Sequence, residues 1–207
     1  MRPQLLYFKM YLCAMKNFEA IAECIQTRRS IKPMAMNGKI IPDETIQQLL
    51  ELADWAPTHA LTEPWRFLVY SGDAMQQFAK AQADLYKSIT PVDQFKEATY
   101  DKISTNCVTV SHNILVYMKR GNNPNIPALE EICAVSAAVE NLLLGASAAG
   151  IGALWSTGGV TLKPEFKEFL QLGPEDQVIG QIYLGYSDTT REGSRNVPLS
   201  EKVKWMK

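Results

Sequence analysis

Residues 128–149 carry the longest regular apolar pattern in the sequence, and they constrain the fold more than any other segment. Apolar side chains recur there at helical spacing on almost every side, among them Val135, Val139, Leu142 and Leu143. A helix of this kind is unstable on a surface, because too much apolar area would face water. The pattern therefore predicts a buried central helix around which a sheet is organised.

Four short apolar runs, each bounded by turn-forming residues, predict β-strands. Helical patterns lie between them, including a mostly helical polar stretch between the first two runs and a short helix at 164–170. Strands interleaved with helices favour a three-layer α/β sandwich of the α+β type. The predicted strands cover residues 67–70, 114–118, 151–155 and 178–186.

The N-terminal part of the chain predicts two further helices. Asn17 is a candidate cap for an amphipathic helix that ends near Thr27. A second helix opens at Pro42 and is closed by Pro57, and Asp73 is a candidate cap for the helix after the first strand.

A chain of 207 residues is long enough for one domain with a substantial core. We expect a single domain over residues 15–207, with residues 1–14 forming either an N-terminal extension or a short packed arm. The polar tail at 191–207 has too few apolar residues for a core of its own, so we expect it to reach a partner subunit.

Composition narrows the classes of partner. The net charge is −1 and hydrophobic residues make up 46% of the chain, which argues against a polyanion-binding surface for nucleic acid or for an anionic membrane. The four cysteines are widely spaced, without a CxxC pair or clustered histidines, so we predict neither a metal site nor a disulfide framework. Reduced thiols favour a cytoplasmic protein.

An arginine pair follows the first predicted helix. Arg28, Arg29 and Ser30 together offer guanidinium groups, a hydroxyl and backbone donors, a combination that suits a phosphate group. The alternative is a solvated helix C-terminus whose cations complement the helix dipole.

Two loops that contain small residues and hydroxyls could hold a ring beside that phosphate. Residues 56–67 carry His59 and Trp65 between a helix and a strand, although Trp65 could equally fill the core. Residues 156–159 could present backbone N–H groups to a flat heterocycle, or form a plain turn. Gly150 and Gly152 follow a helix and precede a strand, the reverse of a dinucleotide-binding fingerprint.

Taken together, these motifs resemble the FMN-dependent nitroreductases, especially their compact bacterial NAD(P)H nitroreductase subgroup. The similarity runs from about Phe18 to the C-terminus and rests on four motifs in the same order. The motifs are residues 28–30, 56–67, 141–155 and 179–185.

The resemblance implies a nitroreductase-like fold with a central mixed, mainly antiparallel sheet flanked by helices. It also implies an FMN cofactor and NADH or NADPH as co-substrate. In such an enzyme hydride passes through flavin N5 to an electron-poor acceptor, such as a nitroarene or a quinone, in a ping-pong sequence. No catalytic side chain is expected, because the flavin carries the chemistry. Family members are homodimers with FMN at the subunit interface.

The resemblance also implies which residues contact the cofactor. The arginine pair and its serine would hold the phosphate and ribityl end, and the remaining residues would approach or line the ring. A hydrogen-bond donor to the ring is expected among the amides of residues 157–159. The implied cofactor-binding residues are Arg28, Arg29, Ser30, Trp55, His59, Trp155, Ser156, Thr157, Gly158 and Arg195.

Three positions depart from the family pattern. Leu61 and Glu63 stand where many members have amide side chains, and Ser156 stands where the subgroup often has an arginine. Arg195 could supply the missing cation from the tail, or could be solvated. Two other functions stay open: a flavin enzyme with another outcome, such as dehalogenation or flavin fragmentation, and a non-catalytic flavin-binding protein.

Overall fold

Four antiparallel strands form the central layer of the protein. The structure is a computed structural model that describes residues 3–189 and 191–207, with side chains from residue 15 onward. The strand order is β1-β2-β4-β3, and a parallel bridge from Ser30 to Ala153 extends the β3 edge. The predicted mixed, mainly antiparallel sheet is therefore confirmed. The strands are β1 Trp65–Ser71, β2 His112–Met118, β3 Gly152–Ser156 and β4 Gln177–Gly185.

Helices cover both faces of this sheet, which gives the predicted three layers. Helices α2 and α5 share one apolar core with the sheet, whereas α3 and α6 pack on the opposite face and α4 lies against α3. Helix α1 contacts α5 from outside. The helices are α1 Pro3–Thr27, α2 Asp43–Asp54, α3 Gly72–Ile89, α4 Glu97–Thr105, α5 Ala128–Ala148 and α6 Pro164–Phe169.

Strand β2 shows why residues 114–116 are apolar at successive positions. Ile114 and Val116 face the α2/α5 layer, and Leu115 between them faces Phe78 and Phe166 on the other side. Successive side chains of a strand point to opposite faces, so a strand covered on both faces needs apolar residues at successive positions. All three β2 residues are fully buried.

Helix α5 is the predicted central helix, and its burial is confirmed. It is long and apolar enough to cross a membrane, but it packs against the sheet and α2 as the core of the domain. Gly145 lets α2 approach closely, since an added Cβ would lie 2.6 Å from Leu52 and 3.0 Å from Leu49. Its buried residues are Glu131, Ala134, Val135, Ala138, Val139, Leu142, Leu143 and Ala146.

Two cap predictions are wrong. Helix α1 ends at Thr27 as expected, but its backbone is helical from Pro3, so Asn17 lies inside the helix and caps nothing. Asp73 lies in the first turn of α3, and Ser71 precedes that helix without a side-chain cap bond. A carboxylate in the first turn still complements the helix dipole.

The division between residues 1–14 and the domain stays a prediction. The α1 helix runs through residues 3–14 without a break in its backbone, and Met1 and Arg2 lie outside the described residues.

Candidate functional site

The segment that follows α1 runs alongside β3, and this pairing organises the site. The Ile31 N–H donates to the Ala153 carbonyl at 2.9 Å, beside the parallel bridge of Ser30. Because the two segments are parallel, the arginine pair lies near the start of β3 and Lys32 lies toward its end. We call this arrangement of residues 28–32 and β3 the seam.

An open cavity of about 690 Å³ lies at the start of the seam. Its walls combine the arginine pair, the tight turn between α5 and β3, and the beginning of the C-terminal tail. The residues that line it include Arg28, Arg29, Gly150, Ile151, Gly152, Ser187, Arg191, Glu192 and Gly193. We call it the arginine cavity.

Arg29 has a donor that the described part of the chain does not satisfy. Its Nη1 donates to the carbonyls of Gln26 at 2.6 Å and Arg28 at 2.7 Å, while its buried Nε has no hydrogen-bond partner among the described residues. The tail backbone covers the guanidinium at Gly193, where a Cβ would overlap it. A buried donor of this kind calls for an acceptor, and an anionic oxygen suits a guanidinium best.

Arg28 pairs with the carboxylate of a residue outside the lining of this cavity. Its Nε lies 3.5 Å from Oε1 of Glu140 on α5, and the Glu140 side chain is about half exposed. The carboxylate offsets part of the positive charge of Arg28. Three arginines and one carboxylate, that of Glu192, line the arginine cavity, so it is cationic, and the nearby Glu140 lowers its positive potential.

A second cavity, of about 530 Å³, lies toward the end of the seam. Two lysines, Lys32 and Lys102, line it together with Asn106 and Ser156. A smaller cavity of about 230 Å³ shares Lys102, Asn106 and Ser156 and adds Gly158. We call the two together the lysine cavity. Lys32 and Lys102 supply its positive charge.

Sequence reasoning missed both lysines. Lys32 could have been found, because it lies two residues beyond Ser30 and so shares its face of an extended segment. Lys102 carried no signal, since it sits on α4 and only folding brings α4 to Ser156.

The two titratable groups that burial perturbs beside the lysine cavity are uncharged near neutral pH. Burial raises the pKa of the Cys107 thiol to about 12, and it also raises the pKa of the Tyr183 hydroxyl. Both residues line the smaller chamber. The charge in this chamber therefore comes from Lys102.

The predicted residues of β3 and its following turn fall on two sides of the sheet. Trp155 packs with the α2/α5 core, and its Nε1 donates to the Ile179 carbonyl at 3.1 Å. Ser156 and Gly158 line the lysine cavity, and the exposed Thr157 lies between them. The structure therefore brings Ser156 and Gly158 together and places Trp155 on the opposite face.

Trp55 and His59 lie away from both cavities within one chain. Trp55 is 86% exposed, at the edge of an apolar groove between α1, α2 and α5 that includes Ile25 and Leu52. The Nδ1 atom of His59 lies 2.6 Å from Oε2 of Glu130 on α5. The structure does not join these two residues to the arginine pair.

The loop that carries His59 has a strained backbone. Ala60, Leu61 and Glu63 have φ angles of 49°, 54° and 42°, in the left-handed region that non-glycine residues rarely adopt. A hydrogen bond between the Thr58 and Thr62 hydroxyls, at 2.9 Å, spans the loop. Such strain costs about 1–3 kcal/mol for each residue and clusters at functional sites.

Trp65 and Arg195 complete the set of predicted positions. Trp65 is buried in the core, and its Nε1 donates to Oδ1 of Asp54 at 2.8 Å, as the core alternative predicted. Arg195 is exposed on the tail, where its Nη1 donates to the Ser194 carbonyl at 3.0 Å. Arg195 lines neither cavity.

Comparison with known proteins identifies the family of the chain. The profile of the nitroreductase family matches residues 25–186. YfhC of Bacillus subtilis, which is named as an NAD(P)H nitroreductase, is 26% identical over 183 residues, covering 88% of this chain and 92% of YfhC. YdjA of Escherichia coli K12, named likewise, is 28% identical, with 85% and 93% covered.

Solved structures agree. A nitroreductase-like family protein from Bacillus cereus superposes with a TM-score of 0.77 at 27% identity, covering 90% of this chain and 95% of that one. A nitroreductase-type protein from Desulfovibrio desulfuricans, in complex with FMN, gives 0.67 at 25% identity, with 90% and 96% covered. The predicted fold is confirmed by these neighbours and the predicted family by the profile. The chain belongs to the nitroreductase family.

Proposed function

We propose that the protein is an FMN-dependent oxidoreductase that passes hydride from NADH or NADPH to an electron-poor small molecule, such as a nitroarene or a quinone. The observation that carries this proposal is the seam. The seam has the arginine cavity at one end of β3, with the buried and unsatisfied Nε of Arg29 beside it. It has the lysine cavity, which is also cationic and polar, at the other end of β3. Membership of the nitroreductase family supports the enzyme class and the cofactor.

The two cavities fit the two ends of FMN. Arg28, Arg29 and Ser30 would hold the phosphate end, where the unsatisfied Arg29 Nε needs an acceptor. Ser156, Thr157 and Gly158 would line the ring. From Ala153 to Ser156 the strand advances roughly 10 Å, which suits an elongated ligand with an anionic end and a flat polar end. The Desulfovibrio neighbour was solved in complex with FMN, which supports FMN as the ligand.

The protein would bind the cofactor and would stabilise charge on its ring. Bound FMN supplies the hydride-transfer chemistry. Lys32 and Lys102 would stabilise negative charge at the ring end, and the backbone amides of the turn at 157–159 would add hydrogen-bond donors there. These cations take the place of the arginine that many subgroup members carry at position 156.

We also propose a homodimer with the site at its interface. Trp55 and His59 lie on a surface apart from the seam, so a second copy is needed to bring them to a cofactor. Apolar side chains are exposed on both surfaces that would meet: Leu52 and Trp55 at the groove, and Trp205 on the tail. Arg195 on the same tail would then approach the partner subunit. A cytoplasmic location and the absence of nucleic-acid and membrane partners stay predictions.

Titration of the purified chain with FMN, followed by flavin fluorescence, tests the proposal. We expect one FMN bound per chain and a dimer by analytical ultracentrifugation. The double variant Arg28→Ala with Arg29→Ala should lose FMN binding while its circular dichroism spectrum is unchanged. Lys80→Ala with Lys87→Ala is the matched control, because it removes two positive charges from α3 outside both cavities.

A wild-type chain that neither purifies with flavin nor takes up added FMN would contradict the proposal. Steady-state oxidation of NADH or NADPH in the presence of a nitroarene or quinone separates an enzyme from a flavin carrier. Release of halide, or of flavin breakdown products, would identify one of the other outcomes.

A further inference from the structure

A buried polar network lies beside the turn at 157–161, and two of its members, Gln82 and Gln181, line the smaller part of the lysine cavity. The cofactor contacts described above do not include it. Gln181 on β4 is 2% exposed, and Gln82 on α3 is 4% exposed. Their side-chain amides pair reciprocally, at 2.7 Å and 3.3 Å. Two amides buried between a helix and a sheet are costly unless every donor and acceptor is paired.

The amide of Gln181 is fully used. Its Oε1 accepts from Asn113 at 2.8 Å as well as from Gln82, and its Nε2 donates to Oγ1 of Thr161 at 2.8 Å. Because every hydrogen-bonding position of Gln181 is used, its side chain has one orientation. The hydroxyl of Thr161 is held in turn, since it accepts from this amide.

Thr161 in turn fixes the orientation of the Gly158 carbonyl group in the turn. Its Oγ1 donates to the Gly158 carbonyl at 2.7 Å, and its backbone N–H donates to the same oxygen at 3.3 Å. The peptide between Gly158 and Gly159 is planar and trans, so its N–H points away from the carbonyl. The N–H of Gly159 is therefore directed away from Thr161, and it has no protein acceptor among the described residues.

We propose that Gln181 and Thr161 are positioning residues, which hold the Gly159 N–H as a hydrogen-bond donor toward the ring of bound FMN. The inference rests on the proposed function. Gly158 and Gly159 line the lysine cavity beside Ser156, and Gly159 has a φ of 65°, a conformation that an L side chain would strain. Because Gly159 shares this cavity with Lys102, its N–H would face the pyrimidine end of the ring, where the reduced flavin gathers negative charge on N1 and a carbonyl oxygen. A fixed donor at that end favours the reduced flavin over the oxidised one.

Thr161→Val tests this inference, because it keeps the shape of the side chain and removes the hydroxyl. Two readouts are measured: hydrogen exchange of residues 157–163 in the FMN-free chain, and the Kd values for oxidised and reduced FMN. We expect exchange to accelerate and the binding of reduced FMN to weaken about fivefold more than that of oxidised FMN, as the loss of one ordinary hydrogen bond predicts. Gln181→Met should change the exchange rate and the two Kd values in the same direction. It replaces Thr161→Val as the test if that variant does not fold.

Thr90→Val is the matched control. Thr90 also donates its hydroxyl to a backbone carbonyl, that of Tyr86, but at the end of α3 and away from both cavities. An unchanged ratio of the two Kd values in Thr161→Val would overturn the inference, even if exchange accelerates, because the network would then be structural only. A wild-type chain that fails to bind FMN would instead refute the proposed function.

Discussion

Ser30 and Ala153 form a parallel β-bridge, and this one contact brings an N-terminal segment to the edge strand of the sheet. The bridge sets both cavities, because Arg28 and Arg29 precede it and Lys32 follows it. The candidate site therefore depends on a contact between residues that are more than a hundred positions apart in the sequence.

Gly152→Val should open the seam. A Cβ at this position would lie 3.0 Å from the Gly185 carbonyl oxygen and 3.1 Å from Cβ of Ile31, and valine adds two further methyl groups. We expect the free energy of unfolding to fall by about 1–3 kcal/mol, as for other overpacked positions, and FMN binding to weaken with it. Urea denaturation measures the first effect. Gly38→Asn is the control, since Gly38 has a φ of 79° with open space around it. Equal stability of the two variants would contradict the prediction.

Glu140→Gln should strengthen the binding of FMN. The substitution removes the negative charge 3.5 Å from Arg28 and so raises the positive potential of the arginine cavity. Because the pair is partly exposed, we expect the Kd for FMN to fall only about two- to fivefold, and less at high salt. Fluorescence titration at two ionic strengths checks this, with Glu168→Gln on α6 as the charge-matched control. Weaker binding would mean that Glu140 orients Arg28 instead of competing for it.

Glu131→Gln should destabilise the fold without touching either cavity. Glu131 is 1% exposed on α5, pairs with Nη1 of Arg120 and accepts the Gly121 N–H at 3.0 Å. Loss of one partner leaves the Arg120 charge buried, which costs about 3–5 kcal/mol. Thermal and urea unfolding measure the change. The neighbouring Glu130→Gln removes an exposed pair with His59 and should cost less than about 1 kcal/mol. A similar decrease in the free energy of unfolding in both variants would show that the buried Glu131–Arg120 pair matters no more than the exposed one.

Alkaline pH should destabilise the protein through Cys107. Burial raises the pKa of this thiol in the folded state above its ordinary value, so the unfolded chain loses the proton first. The thiol makes its full contribution to the free energy of unfolding below a pH of about 9, and this contribution is lost as the pH rises toward about 12. The loss is roughly 1.4 kcal/mol per pH unit. Burial of the Tyr183 hydroxyl acts in the same direction.

Urea midpoints of wild type and Cys107→Ala, measured from pH 8 to 11, check this prediction. The variant starts from a lower stability because it leaves a cavity, but its stability should fall less steeply with pH. Cys133→Ala, at an exposed position of α5, should keep the wild-type slope. Parallel curves for wild type and Cys107→Ala would contradict the assignment.

The elements and the family followed from local patterns in the sequence. Helix α5 was predicted to end at Ala149 and ends at Ala148, because its apolar periodicity is a property of neighbouring residues. The predicted strands overlap all four observed strands for the same reason. The start of α1 was missed, since the cap preference of Asn17 is weaker than the continuation of a helix whose preceding turns are already formed.

The arrangement of the site was decided by the tertiary structure. The arginine pair could be predicted from adjacent residues, but Lys102 lines the same cavity as Ser156 only because α4 packs against α3 beside the sheet. The same holds for Gln82 and Gln181, which meet 99 positions apart, and for Trp155, whose face of the strand depends on register. Helical and strand periodicity depends only on residues that are close in the sequence. Contacts between distant residues depend instead on which apolar surfaces bury one another and on the register of the strands.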